Sequence, residues 1–207
     1  METLYHVTKD FDWSNESLPN KSKILLSDTS LMNSLFLVTH FLNMSLKGDA
    51  SVFFGALSQT YEFYSSLSKK GGINLEKCLQ SGNLTVYTRL SSSTSTEIQS
   101  LSSYSEFFPR LLEDLQVADK TIYTCVLIDD IYLCGKSIEY IMDNLRDIQD
   151  ILSTFNNYSL IYRCHQDIST DNEISYLSSL RHFSDYEISL LPLQTGHSIT
   201  SNAQVFI

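Results

Sequence analysis

Along most of the 207-residue chain, short apolar runs alternate with longer segments whose apolar residues fall on one side. The runs at 23–26 and 121–128 are nearly continuous in apolar residues, which is typical of strands that are covered on both faces. Further strands are predicted at 51–57, 83–87, 159–163, 187–193 and 203–207. These segments are short enough to be strands and are bounded by glycine and polar residues.

Between the predicted strands, apolar residues recur at intervals of three and four, which predicts amphipathic helices. The helices are predicted at 31–47, 61–70, 74–80, 107–117, 137–155 and 174–182. The clearest stripe belongs to the helix at 137–155 and runs from Ile138 to Phe155. In the helix at 31–47, the stripe begins at Leu31 and continues through Leu35 and Val38.

This order of elements predicts one α/β domain with a mostly parallel sheet and helices on both faces. The last two strands flank Gly196 and are predicted to form an antiparallel hairpin at the edge of the sheet. Residues 21–207 are assigned to the domain and residues 1–20 to an N-terminal leader. The serine- and threonine-rich segment at 91–105 has little to bury, so we expect a flexible surface loop there.

Charge and composition narrow the range of functions. The formal net charge is −10, which disfavours binding of nucleic acid by the chain alone. No apolar stretch approaches the roughly 20 residues of a membrane span, and no signal-peptide pattern is evident. We therefore expect a cytoplasmic protein, with the nucleus as a further location. The cysteines and histidines lack the spacing of metal sites, so no metal and no cofactor are predicted.

The loop after the first strand is where a nucleotide-binding sheet of this kind holds phosphate. In NTPases this loop has the pattern G-x-x-x-x-G-K-[ST], whose glycines admit the phosphate and whose lysine neutralises it. Here Ser27 and Met32 stand at the glycine positions and Asn33 at the lysine position, while Ser34 retains the hydroxyl. Met32 obstructs a phosphate and Asp28 adds a repulsive carboxylate, so tight nucleotide binding by this loop is not expected.

The other parts of a phosphoryl-transfer site are incomplete as well. Asp129 ends the strongest strand, where active NTPases hold Mg²⁺, but without a phosphate loop the metal would lack its main partner. We therefore interpret Asp129 as a structural residue, for example one that caps a loop. The segment 55–59, where RecA-like ATPases usually place a water-activating glutamate, contains no carboxylate. No catalytic residue is predicted.

Three basic residues near predicted strand ends, Arg163, His165 and Arg181, are candidates for a local basic patch. A solvated surface is the more ordinary interpretation of such residues.

Several short runs resemble the Elongator complex protein 6 family. The matching segments are KILLSD at 23–28, HFL at 40–42, VFFGALSQ at 52–59, the single residue Tyr64, GG at 71–72, GNL at 82–84 and LIDD at 127–130. They occur in the order of the family, and the resemblance covers residues 20–165. It rests on many moderate matches and not on one sharp motif.

The resemblance implies a RecA-like, P-loop NTPase-type fold with degenerate Walker motifs. It also implies a heterohexameric ring with two copies each of Elongator proteins 4, 5 and 6. Such a ring is associated with the catalytic Elongator subcomplex and with tRNA binding, and it supports modification of the wobble uridine of tRNA. The subunit would be a pseudo-ATPase, and any ATP hydrolysis would belong to the assembled ring. Two alternatives remain open: a divergent RecA-like ATPase that uses Asp129, and a recombination mediator of the same fold.

Overall fold

The computed structural model describes residues 18–29, 31–90, 98–135, 137–166, 171–192 and 203–206. Eight strands and six α-helices lie within these ranges. The strands are β1 (Ser22–Asp28), β2 (Ser51–Ala56), β3 (Leu84–Thr88), β4 (Ile98–Ser100), β5 (Thr124–Ile128), β6 (Tyr158–His165), β7 (Tyr186–Pro192) and β8 (Ala203–Phe206). The helices are α1 (Leu35–Lys47), α2 (Tyr61–Lys70), α3 (Leu75–Gln80), α4 (Phe107–Val117), α5 (Ile138–Ser153) and α6 (Asp171–Phe183).

The strands form one sheet in the order β4-β3-β2-β5-β6-β1-β7-β8. All described pairings are parallel except that of β7 with β8, which is antiparallel. Strand β6 lies between β1, which leads into the loop before α1, and β5, which leads into Asp129. The order β7-β1-β6-β5-β2 is that of a RecA-like sheet, so the predicted fold class and the predicted terminal hairpin are both confirmed.

Two hydrophobic layers cover the two faces of this sheet. Successive side chains of a strand point to opposite faces, and in β5 Leu127 packs into one layer while Val126 packs into the other. Helices α1, α2 and α3 supply the first layer, and α4, α5 and α6 supply the second. Burial on both faces explains why the central strands are almost wholly apolar.

The helix ends follow from local capping. Ser137 precedes α5, and its hydroxyl accepts a hydrogen bond from the Tyr140 amide, while Thr60 caps α2 in the same way with the Phe63 amide. Such caps satisfy amide groups that have no partner within the helix. The predicted bounds of α2 and α4 agree with the structure, and those of the remaining helices agree within a few residues.

The predicted start of one helix was wrong. Helix α1 begins at Leu35 and not at Leu31, which is 79% exposed. A tight turn that joins Thr29 to Met32 occupies the segment that the stripe had assigned to the first helical turn. Apolar spacing alone does not reveal that turn.

The segment at 91–105 is only partly described, and its described part is not a flexible loop. Residues 98–100 form β4 at the edge of the sheet, and residues 104–106 form a short 3₁₀-helix. Ile98 and Leu101 are buried and anchor the segment. Residues 91–97 lie outside the described ranges.

The start of the described chain packs against the body of the sheet. Leu18 is buried, the Pro19 carbonyl accepts a hydrogen bond from the Ser159 hydroxyl, and the Lys21 amide donates to the Tyr158 carbonyl. Residues 1–17 of the predicted leader lie outside the described ranges, so the domain boundary at residue 20 stays a prediction.

Candidate functional site

The carboxyl ends of β5, β6 and β1 lie side by side, because these three parallel strands are neighbours in the sheet. In an open α/β sheet, ligands bind beyond the carboxyl ends of the strands, at the point where the order of the strands reverses. Strand β1 delivers Asp28 to the edge, β6 delivers Arg163 and His165, and the turn after β5 delivers Asp129 and Asp130. These five side chains form the candidate site.

The loop after β1 is a tight turn that uses its own amide groups. The Met32 amide donates to the Thr29 carbonyl over 3.0 Å, and the Thr29 amide donates to the Met32 carbonyl over 3.4 Å. The side-chain oxygen of Asn33 accepts from the Leu35 amide at 2.8 Å. These amide groups are therefore directed at the chain itself and not at an open cradle for phosphate.

Asp28 turns inward and binds the start of α1. Its Oδ2 accepts hydrogen bonds from the Ser34 amide at 2.6 Å and from the Ser34 hydroxyl at 2.8 Å. The Ser27 hydroxyl donates to Glu187 on β7 and accepts from Gln166, each over 2.6 Å. The hydroxyl at position 34 thus binds a carboxylate of its own chain, in a place where an NTPase would bind Mg²⁺.

Arg163 is the centre of the site, and its side chain is 1% exposed. Its Nε lies 2.7 Å from Asp28 Oδ2 and 3.1 Å from the Ser34 hydroxyl, and its Nη1 donates to the Asp129 carbonyl over 2.9 Å. A buried guanidinium is tolerated only when it is paired and hydrogen-bonded. Arg163 meets this condition by joining β1, β5, β6 and the start of α1.

His165 completes the pairing of Asp28. Its Nδ1 lies 2.6 Å from Asp28 Oδ1, and its Nε2 lies 3.9 Å from Asp130 Oδ2 and 3.0 Å from Arg163 Nη2. The hydrogen bond to Asp28 raises the pKa of His165 above its ordinary value of 6.5, against the opposing effects of burial and Arg163. Burial by itself raises the pKa of Asp28, but His165 and Arg163 together hold that pKa below 3.8. Asp28 is therefore an anion at neutral pH.

Asp129 is fully buried and caps the loop that follows β2. Its Oδ1 accepts from the Leu57 amide at 2.8 Å, and its Oδ2 accepts from the Ser58 amide, the Ser58 hydroxyl and the Tyr64 hydroxyl at 2.7–3.0 Å. Burial raises the pKa of Asp129 to about 6, although these donors oppose the rise. Both oxygens already have protein partners, so this geometry does not fit a residue that holds Mg²⁺.

Neither the basic patch nor the solvated surface considered from the sequence describes Arg163. Arg163 is buried, His165 is partly buried against Asp28, and Arg181 instead pairs with Glu187 over 3.0 Å. The sequence carries a signal for this outcome, because a charged residue within an otherwise apolar, fully covered strand must have a buried partner. Which carboxylate it meets depends on the order of the strands, which the sequence does not state.

Neither a metal site nor a membrane-spanning helix is found in the described part of the chain. Within those ranges, no group of three or more His, Cys, Asp or Glu side chains is arranged to hold a metal ion. No described helix has both the length and the apolar character that crossing a membrane requires.

The model of the family described as Elongation complex protein 6 matches residues 7–207. The chain belongs to this family. It is therefore an Elongator subunit. The short runs of the sequence indicate a resemblance over residues 20–165, and the family match extends beyond that range on both sides. A comparison with curated proteins finds no match.

Among solved structures, the family member is similar to the uncharacterized protein PH0321 from Pyrococcus horikoshii, which was crystallised in complex with an unknown peptide. The TM-score is 0.60 at 12% sequence identity, over 86% of this chain and 82% of the other. At this identity the likeness concerns the fold alone.

Proposed function

We propose that this Elongator subunit is non-catalytic and assembles with Elongator proteins 4 and 5 into a heterohexameric RecA-like ring. In this proposal the ring binds tRNA, works with the catalytic Elongator subcomplex in the cytoplasm and nucleus, and supports modification of the wobble uridine. The proposal combines the family of the chain with the chemistry of its degenerate nucleotide site.

One observation carries the proposal: the groups that would bind phosphate and Mg²⁺ in an NTPase are hydrogen-bonded to other groups of the chain itself. Ser34 donates to Asp28 with its amide and its hydroxyl. Both carboxylate oxygens of Asp129 accept from amide groups of the loop after β2. Phosphoryl transfer depends almost entirely on positioned phosphate and metal contacts, so a site that uses these groups internally supports a structural role.

Exposed apolar side chains support a role in assembly. Eight large hydrophobic residues of the described chain are at least 36% exposed. Six of them follow the carboxyl ends of strands or lie in the first turn of the next helix, namely Leu31, Phe36, Phe63, Leu90, Tyr132 and Tyr140. Exposed apolar residues that gather at one edge of a fold are typical of a partner surface.

The acidic charge of the chain supports a proposal in which tRNA is bound by the ring and not by the lone chain. At a net charge of −10, the lone chain repels the phosphate backbone at long range. We expect the lone chain to bind tRNA weakly and the assembled ring to bind it well. A competition between tRNA and single-stranded DNA for the ring separates this function from that of a recombination mediator, which would prefer the DNA.

Co-expression with Elongator proteins 4 and 5 tests the assembly. Light scattering coupled to gel filtration is expected to give a hexamer containing all three chains, whereas the chain alone is expected to be poorly soluble. A stable monomer that ignores both partners would contradict the proposal. ATP turnover by the purified lone chain would instead favour a divergent ATPase.

A pair of matched variants tests the partner surface. Leu31→Asp places a charge on the carboxyl edge of the sheet, at a residue that is 79% exposed, and is expected to reduce the yield of hexamer. Val117→Asp places the same charge at the opposite edge, at the end of α4, where the side chain is 84% exposed. The Val117 variant is expected to assemble normally. Equal yields from the two variants would refute the assignment of the surface.

A further inference from the structure

We infer that this chain retains an anion-binding site at the start of α1, and that the ligand of this site is the chain's own Asp28 carboxylate. The inference rests on contacts inside the chain. It therefore stands or fails independently of whether the chain assembles into the proposed ring.

Donors from two segments of the chain converge on one oxygen atom of Asp28. Asp28 Oδ2 accepts from the Ser34 amide at 2.6 Å, from the Ser34 hydroxyl at 2.8 Å and from Arg163 Nε at 2.7 Å. The second oxygen, Oδ1, lies 2.6 Å from His165 Nδ1. The Asp28 side chain is 0% exposed and that of Arg163 is 1% exposed, so water does not compete for these contacts.

This donor set is of the kind that binds free anions in proteins. An amide at the beginning of a helix, a hydroxyl and a guanidinium are the groups that hold phosphate and carboxylate ligands. Arg163 requires a negatively charged group in the site, because a buried guanidinium without a counter-charge is strongly unfavourable. In this chain the anion is tethered at the end of β1, directly beside the donors.

The tether decides which anion occupies the site. A group held by a few covalent bonds competes at a high effective concentration, so a free anion of similar intrinsic affinity does not displace it. We therefore expect phosphate and nucleotides to leave the unaltered chain unaffected. When the tether is removed, the donors remain and a free carboxylate becomes able to bind.

The geometry specifies which carboxylate will bind. The Asp28 side chain corresponds to acetate, so Asp28→Gly leaves a space of that size and shape. Asp28→Ala retains the β-carbon and leaves room only for formate. His165, on the Oδ1 side, is 30% exposed and provides the side from which a small anion can enter.

Thermal unfolding of the full chain, with its partners where they are needed for solubility, tests the inference. Asp28→Gly is expected to unfold at a lower temperature than the unaltered chain in chloride. Added acetate is expected to raise that temperature in a saturable way at constant ionic strength, because a ligand that binds only the folded state stabilises it. Propionate is too large for the space and should raise it less. The unaltered chain should respond no more to acetate than to chloride.

Two further variants make the result specific. The double variant Asp28→Gly with Arg163→Gln is expected to lose the response to acetate, because the main donor is absent. Asp119→Gly is the matched control, since Asp119 is a carboxylate on the surface that accepts from Thr121. That control should show no response specific to acetate.

The inference is overturned if Asp28→Gly gains nothing from acetate, or if the unaltered chain gains as much. If Asp28→Gly is recovered only as aggregate, the soluble yield after refolding in acetate and in chloride gives the same comparison. Asp28→Ala with formate repeats it with a smaller cavity. Equal yields in both salts for both variants would also overturn the inference.

Discussion

Replacing Arg163 with methionine should cause a large loss of stability. Methionine has a similar length and fits a buried position, but it cannot donate a hydrogen bond or carry charge. Arg163→Met would leave the Asp28 carboxylate buried with Ser34 and His165 as its remaining partners. It would also remove the donor to the Asp129 carbonyl.

The loss in the free energy of unfolding can be estimated from the burial of the ion pair between Arg163 and Asp28. Both side chains are at most 1% exposed, and removing one partner of such a pair costs about 3–5 kcal/mol. Folded domains are stable by roughly 5–15 kcal/mol, so the change removes a large share of the total. With a urea m-value of about 2.5 kcal/mol/M for a chain of this size, the midpoint should fall by roughly 1.5 M.

Urea unfolding followed by circular dichroism measures this change, with the slope of the transition checked for each variant. Arg146→Met is the matched control, because Arg146 pairs with Asp143 on the surface and its side chain is 62% exposed. Surface pairs contribute about 0–1 kcal/mol, so the control midpoint should scarcely move. If the urea midpoint of Arg163→Met falls no further than that of Arg146→Met, the central role of Arg163 is refuted. Addition of Asp28→Asn to Arg163→Met should recover part of the loss, because it removes the uncompensated anion.

Two other changes give separate predictions. Gly55→Ala should destabilise the chain by about 1–3 kcal/mol, because a β-carbon there would lie 2.8 Å from the buried ring of Phe107; Gly48→Ala, whose nearest contact would be at 3.6 Å, should be nearly neutral in the same urea assay. His165→Gln should reduce stability most at low pH. The pKa of His165 is raised by Asp28, so its contribution is full below pH 6.5 and is lost as the pH rises through the folded-state pKa. The urea midpoints of the unaltered chain and of His165→Gln are compared between pH 5.5 and 8.5. A difference between the two midpoints that grows as the pH rises would contradict the prediction.

The periodicity of the sequence was sufficient to predict most elements and the class of fold. The apolar run of β5 and the stripe of α5 predict their structures directly, because covering both faces of a sheet demands the first pattern and covering one face of a helix demands the second. The predictions failed where a single contact outweighed the pattern. Leu31 has helical spacing but lies in a turn that the bridge between Thr29 and Met32 closes.

The candidate site could be predicted only in part. The sequence shows at once that Met32 and Asn33 stand where glycine and lysine would bind phosphate. It also suggested that Asp28 repels a ligand, whereas the structure shows Asp28 bound inward to Ser34 and Arg163. Positions 28 and 163 are 135 residues apart, and nothing local to either one indicates the other.

The sequence by itself thus determined the elements, the parallel sheet and the loss of the phosphate-binding motif, because these depend on periodicity and on the types of residues in short segments. Only the tertiary structure decided which side chains use the remaining donors. The order of the strands places β6 between β1 and β5, and this adjacency brings the Arg163 guanidinium to the Asp28 carboxylate. A charge pair across so many residues is a property of the packed sheet and not of any segment of the chain.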